Sequence, residues 1–355
     1  MTNALFYGDN LIWLRDRKYF PDESVDLIYL DPPFNSKADY NVMFNETAKG
    51  DKSQAQIKAF DDTWHWDSEA SETALYDLAQ NKPQIAELIS WLNRQGKSNE
   101  SMAAYLSMMA IRLTELHRVL APTGSLYLHC DPTASHYLKL ILDSIFGIKN
   151  YLNEIVWCYR EREITKRYWN RKHDVILFYA KDVNNANRIF NWNEGALSYS
   201  PGTAHKYNLV DNNGRKYQIR GKGGEYIGEQ QLSTQVELEH PEWTYRDYWD
   251  KKEGIPPRDW LAPPMENVEC PQCKSIFRPE YQYDWLNRAS RERLGYPTQK
   301  PLSILELIIN VSSNKGDIVL DPFCGCGTTI DVAQKLQRHW KGIDVTWLAV
   351  DLVEK

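Results

Sequence analysis

The sequence predicts an α/β protein built on a doubly wound, mostly parallel sheet. Three observations carry that reading. Apolar runs of strand length alternate with longer stretches at helical spacing, near both ends of the chain. Two of those runs stop on an acid followed by proline, LDPPF at 30–34 and LDPFCGCGTT at 320–329. The second leads through a glycine-rich turn into a helix, which lets backbone approach a ligand at the carboxyl edge of such a sheet.

Taken in order, residues 4–8 read as a short strand ending in Gly8-Asp9-Asn10, with a helical pattern after it. VDLIYL (25–30) is a second strand. Asp31-Pro32-Pro33-Phe34 then leaves the core on a stiff turn, because proline fixes φ and removes a backbone donor. Residues 35–100 are polar and rich in Asn, Asp, Ser and Trp, and read as an insertion with some helix. SMAAYLSMMAIRLTELHRVL (101–120) is helical by its spacing, and SLYLHC (125–130) is a buried strand. Asp131-Pro132 fits the cap and first turn of a helix reaching about Phe146. EIVWCYR (154–160) and DVILFYAK (174–181) read as two more, neighbouring strands.

From 183 to 290 the regular pattern fades into Gly, Pro, Trp, Tyr and charge, an irregular segment and not a second helix-and-strand domain. Order returns with an apolar helix at 301–313 and a strand, DIVLD, at 317–321. A helix to about Gln337 and a strand at 339–345 follow.

The 355 residues suffice for one large domain or two modest ones. No run approaches the ~20 apolar residues of a membrane span. MTNALFYGDN has neither a basic nor a long apolar region, so no signal peptide is read and a reducing, cytoplasmic location is expected. The net charge of −6 does not announce a nucleic-acid binder, but its distribution is uneven. Residues 155–300 hold 23 Lys and Arg against 20 Asp and Glu, whereas the remainder holds 19 against 28. Arg160, Arg162, Lys166, Arg167, Arg171 and Lys172 lie close to Tyr168 and Trp169; Arg215, Lys216, Arg220 and Lys222 form a second cluster. Basic side chains mixed with aromatics suit a phosphate backbone and stacked bases. The bland alternative is two solvated loops.

Asp344 lies 23 residues after Asp321, the spacing at which an acid can hold ribose hydroxyls. Gly325-x-Gly327 lacks the third glycine of a dinucleotide fingerprint, and Asp321 would repel a pyrophosphate. An acid is welcome beside a cationic cofactor. Cys270 and Cys273 are half of a zinc pattern with no second pair, so no metal is expected. His129, His136 and His173 have no triad-like context.

Together, Gly8-Asp9-Asn10, DPPF (31–34), GYPTQKP (295–301) and DPFCGCGTT (321–329) closely resemble the amino-group DNA methyltransferases, and among them the circularly permuted β class. The resemblance implies a Rossmann-like sheet with 1–182 as its catalytic half, 183–290 as an inserted target-recognition region and 291–355 as its cofactor half. It implies S-adenosylmethionine as cofactor. Asp321, Phe323, Gly325 and Gly327 would line the methionine side, Asp344 would hold the ribose and Asp9 would lie near the adenine. Thr298, Gln299 and Lys300 would complete the methionine pocket, with Lys300 near the carboxylate. Asp31, Pro32, Pro33 and Phe34 would be catalytic. Asp31 and the Pro32 carbonyl would accept the two N–H bonds of a base amino group, and Phe34 would stack on the flipped base.

Double-stranded DNA is the expected partner, no membrane is expected, and a homodimer or a restriction or defence partner is left open. Asp at the first position leans toward adenine N6, while N4-cytosine and an inactive DNA-binding subunit stay open. Family members usually continue past the helix in which LAVDLVEK ends, so the sequence reads as a fragment or as part of a longer chain.

Overall fold

A computed structural model describes residues 3–33, 69–159, 166–196, 205–222, 230–251, 256–261, 268–269, 276–277, 292, 299–347, 350 and 353. By its internal packing the chain divides into two units. The first comprises Met1–Asn191, Arg258–Pro263 and Gln282–Lys355, the second Trp192–Pro257 and Pro264–Tyr281.

The first unit is an eight-stranded sheet covered on both faces. Its strands are β1 (Ala4–Tyr7), β2 (Val25–Leu30), β3 (Leu120–Cys130), β4 (Tyr151–Cys158), β5 (His173–Ala180), β9 (Trp260–Leu261), β12 (Ile318–Asp321) and β13 (His339–Asp344). They lie in the order β1-β13-β12-β2-β3-β5-β4-β9. The first five in that order are parallel, and β5 is antiparallel to both its neighbours. The doubly wound, mainly parallel sheet expected from the sequence is therefore present.

Strand periodicity sorts the core into two layers, because successive side chains point to opposite faces. Ile28, Leu30, Leu126, Leu128 and Leu320 pack under α1 (Asn10–Arg15), α2 (Glu69–Asn81), α3 (Pro83–Asn93), α4 (Glu100–Val119) and α5 (Ser135–Phe146). Leu27, Tyr29, Tyr127, Ile176 and Val319 face α7 (Leu302–Ser312) and α8 (Thr328–Lys335). Strands apolar on both faces are what a sheet between two helical layers requires.

Three expectations need correction. Asp131 does not cap α5, which begins at Ser135; the Asp131 carboxylate instead accepts from the Ala134 N–H, one turn earlier. Residues 260–261 return to the sheet as β9, which pairs with β4. The second unit is also more regular than its composition indicates. It holds an antiparallel sheet of β6 (Leu209–Val210), β7 (Lys216–Gly221) and β8 (Thr244–Tyr248), with α6 (Gln230–Glu239) against it. A two-stranded ribbon of β10 (Val268–Glu269) and β11 (Ile276–Phe277) completes it. No helix among the described residues is long and apolar enough to cross a membrane.

Candidate active site

Parallel strands deliver their C-terminal residues to one edge of the sheet. From β12 the sheet continues through β13 to β1; from β2 it continues the other way through β3. The winding reverses between β12 and β2, which pair through Val319 with Leu27 and Leu320 with Ile28. A crevice opens at such a reversal, and ligands of open α/β sheets bind there. Asp321 ends β12 and Asp31 follows β2, so both acid-ended strands point into it.

Asp31 is held by a residue from the far end of the sequence. The Lys300 ammonium, 6% exposed, donates to Asp31 Oδ2 at 2.5 Å. Lys300 stands just before α7, and the direction of that helix delivers it. The resemblance set Lys300 beside a cofactor carboxylate; the carboxylate it meets in the protein is that of Asp31. Pro32 is buried and Pro33 half-buried. Phe34 and Thr298 lie outside the described residues, and Gln299 donates to the Glu292 carbonyl at 2.7 Å.

The glycine-rich turn is tied down at both ends. Gly325 and Gly327 have φ of 51° and 82°, the left-handed region that glycine enters without strain. The Gly325 N–H donates to Asp344 Oδ2 at 2.9 Å, and Asp344 Oδ1 accepts from the Thr346 N–H and hydroxyl, both at 2.8 Å. Asp344 thus shapes the turn whatever else it binds. Gly342 on β13 makes room for the turn: a Cβ there would lie 2.4 Å from Ile330 Cδ1 and 3.2 Å from Cys324 Sγ.

Asp321 is fully enclosed, and its Oδ1 accepts from the Phe323 N–H at 3.0 Å. Burial pushes its carboxyl up to about 7 against the hydrogen bonds from Thr329 and Phe323, with Asp31 and Asp344 adding to the rise. Burial likewise raises Asp344. Three carboxylates therefore share this edge closely enough for Asp31 and Asp344 each to disfavour ionisation of Asp321. Such a donor set fits a cation and excludes a pyrophosphate.

Asp9 caps α1 by accepting from the Leu11 N–H at 2.9 Å, and it also takes a salt bridge from Arg112 at 2.7 Å. Sequence reasoning missed Arg112 and the bond made by Asn10. Arg112 donates to Asn10 Oδ1 at 2.6 Å, and Asn10 Nδ2 donates to the Pro322 carbonyl at 2.7 Å. This bridge locks the first helix to the turn after Asp321. Only the basic residue on the α4 face toward α1 hinted at it.

The expected nucleic-acid contacts divide. Arg160 and Arg162 lie outside the described residues. Lys166, Arg167 and Arg171 are exposed, as is Tyr168; Lys172 is half-buried, and Trp169 is 95% exposed. They belong to the connection between β4 and β5, which leaves the sheet at the Asp31 edge because Cys130 of β3 pairs with Val175 of β5. In the second unit, Arg215 is bound by Asp250 at 2.8 and 2.9 Å and lies over the Tyr248 ring. Arg220 pairs with Asp247 at 3.2 Å, while Lys216 and Lys222 are exposed.

His129 corrects another expectation. It is buried and hydrogen-bonded to both Tyr29 and Asp174. Cys324 and Cys326 are buried thiols raised by that burial, which suits packing and not nucleophilic chemistry. Cys270 and Cys273 lie outside the described residues. Among the described residues no cluster of three metal-binding side chains occurs.

A family model described as DNA methylase (N6_N4_Mtase) matches residues 25–355. The chain belongs to the DNA methylase family. Type II methyltransferase M.EcaI of Enterobacter cloacae is 27% identical to this methylase, over 100% of this chain and 69% of its own length. The StyLTI Mod subunit, from a type III restriction-modification enzyme of Salmonella typhimurium, is 27% identical over 95% of this chain and 50% of its own. DNA adenine methyltransferase YhdJ of Escherichia coli is 25% identical over 97% of this chain and 79% of its own.

Proposed function

We propose that this DNA methylase transfers a methyl group from S-adenosylmethionine to the exocyclic N6 amino group of adenine, in a base turned out of duplex DNA. The observation that carries the reading is the pairing of Asp31 with Asp321 at the switch point of the sheet. One acid is positioned for a base amine, and the other is enclosed with a carboxyl raised to about 7, which a positive ligand would relieve. S-adenosylmethionine supplies an electrophilic methyl on a sulfonium and carries an ammonium besides.

The chain's own residues do the remaining work. An aromatic amine is a poor nucleophile because its lone pair is delocalised into the ring. Two acceptors aimed at its N–H bonds favour the pyramidal form, most strongly as positive charge develops. Asp31 accepts one N–H, and the backbone carbonyl of Pro32, its φ fixed by the ring, accepts the other. Lys300 keeps the Asp31 carboxylate oriented through Oδ2. The proton lost from the methylated nitrogen passes to Asp31 and then to water. Turning the base out costs a few kcal/mol, and stacking on Phe34 offsets ~1–3 kcal/mol of that.

Adenine is preferred because the motif opens with Asp and because a relative is named a DNA adenine methyltransferase. Cytosine N4 is the second reading, since a carboxylate accepts from either amine. The basic stretch 160–172 and the second unit, which carries Lys216 and Lys222, supply the duplex contacts. The unit within 183–290 selects the sequence. A restriction subunit is the partner expected from the Mod relative. Tritiated methyl transfer to plasmid DNA followed by nucleoside analysis tests the assignment: N6-methyladenine supports it, N4-methylcytosine redirects it, and no incorporation overturns it.

A further inference from the structure

Four polar side chains, three buried on neighbouring strands and a fourth, half-buried, just past the next, form a continuous chain beneath the Asp31 edge. Tyr29 on β2 meets His129 Nδ1 on β3 at 2.9 Å. His129 Nε2 meets Asp174 Oδ2 on β5 at 3.2 Å. Tyr159, just past β4, donates to Asp174 Oδ1 at 3.2 Å. His129 has no exposed surface, and the fully buried Trp157 presents its ring edge-on at 5.6 Å.

Proton positions follow from the partners. Burial drives the Tyr29 phenol far above its ordinary range, so it keeps its proton and donates to Nδ1. His129 Nε2 then donates to Asp174. Burial alone would raise the Asp174 carboxyl, but the hydrogen bond and charge of His129, the charge of Lys300 and the Tyr159 hydroxyl outweigh it and hold it low. The same lysine that grips Asp31 therefore also acts on the acid at the centre of the chain.

The two ends of the chain lie at the two places where substrate would be held. Tyr29 is two residues before Asp31. Tyr159 opens the basic connection, and its N–H donates to the Lys172 carbonyl at 3.1 Å, closing the base of that loop. Stability does not call for such a network, because well-packed apolar side chains usually serve a sheet core as well. A fully satisfied polar chain adds a fixed geometry.

We propose that Tyr29, His129, Asp174 and Tyr159 are positioning residues, a cross-sheet ruler that sets Asp31 at a constant distance from the base of the phosphate-binding loop. The role rests on the methyltransferase reading. DNA gripped at the loop then presents its target amine at one height above the sheet, where Asp31 waits.

The test uses the full chain with Tyr29→Phe, which removes one oxygen and leaves the ring packing, with Asp174→Asn, and with both together. Single-turnover methyl transfer to duplex DNA is expected to fall on the order of tenfold to a hundredfold in Tyr29→Phe, as for a displaced reacting group. S-adenosylmethionine affinity and DNA affinity should stay near wild type, while the melting temperature falls modestly because His129 Nδ1 loses its partner. The double variant should be no slower than the slower single, because the residues act as one unit. Histidine side-chain ¹⁵N–¹H spectra give a readout independent of activity: a buried Nε2–H in the wild type that persists in Tyr29→Phe, with the Nδ1 resonance shifted by loss of its partner. An active wild type with an unimpaired Tyr29→Phe, or with single effects that multiply, overturns the ruler. A wild type that transfers no methyl to DNA overturns the underlying reading, and a wild-type spectrum without the buried Nε2–H overturns the chain itself.

Discussion

Lys300 and Asp31, 269 residues apart in sequence, form a near-buried ion pair at 2.5 Å. Removing one member of such a pair leaves an uncompensated charge, a loss of about 3–5 kcal/mol where burial is complete. Lys300→Met should therefore destabilise the protein by about 3 kcal/mol. Lys300→Met combined with Asp31→Asn should cost clearly less than the two separately. Urea denaturation of the three variants measures this, and simple additivity would show that the pair is not coupled.

Asp31→Asn keeps the shape of the turn and removes the negative charge facing the amine. Loss of one such transition-state contact costs on the order of 10²–10³ in turnover. S-adenosylmethionine affinity, read by calorimetry, should be almost unaffected. A proportional loss of both would place Asp31 in the donor pocket.

Asp321 makes the free protein sensitive to pH. Its carboxyl titrates near 7 when folded and near 3.8 as the reference carboxylate, so the folded state binds the extra proton. Stability contributed by this group is complete below pH 3.8, falls as pH rises and reaches its minimum above about 7. A rise of about three units corresponds to roughly 4 kcal/mol. Asp321→Asn should abolish that slope, leaving the variant more stable than wild type at pH 8 and little different at pH 4. Cofactor affinity should move the other way, rising as the wild-type carboxyl ionises. Melting temperatures across pH 4–8, with and without S-adenosylmethionine, decide it.

Gly327→Ala should be damaging for two separable reasons. The residue has φ of 82°, and an added Cβ would lie 2.5 Å from Val353 Cγ2. Left-handed backbone alone costs an alanine about 1–2 kcal/mol. Both the melting temperature and cofactor affinity should drop, and a Gly327→Ala protein with wild-type values would mean that the turn relaxes freely.

Two exposed residues of the basic connection should fail differently. Lys166→Ala should weaken binding to all DNA sequences alike and reduce the salt slope by about one. Trp169→Ala should leave the slope unchanged while losing ~1–3 kcal/mol of stacking. Titrations at several salt concentrations separate the two.

Much of this architecture was legible in the amino-acid order. The strand runs ending at Leu30 and Asp321, and the helical spacing of 101–120, depend on local periodicity, which a chain displays openly. The site was legible where glycine and proline mark backbone that cannot be ordinary, as at 31–33 and 325–327. What stayed hidden depends on pairing across the sheet. Nothing near His129 announces Tyr29 or Asp174, because register between β2, β3 and β5 brings them together. The short strands of the second unit were obscured because exposed residues such as Arg220 and Tyr245 sit on one face of a thin sheet, so no apolar run forms.

The adjacency of β2 and β12 also carries a consequence for synthesis. Residues 25–30 leave the ribosome well ahead of residues 318–321, and one of their hydrogen-bonding edges stays open until those follow. At translation speeds of roughly 5–20 residues per second, that wait lasts on the order of 15–60 s. An apolar strand bare along one side for so long is a point of aggregation risk in the nascent protein. Ribosome-associated chaperones would have their longest engagement there, and slowing translation should lower the soluble yield more than raising the temperature of the finished enzyme does.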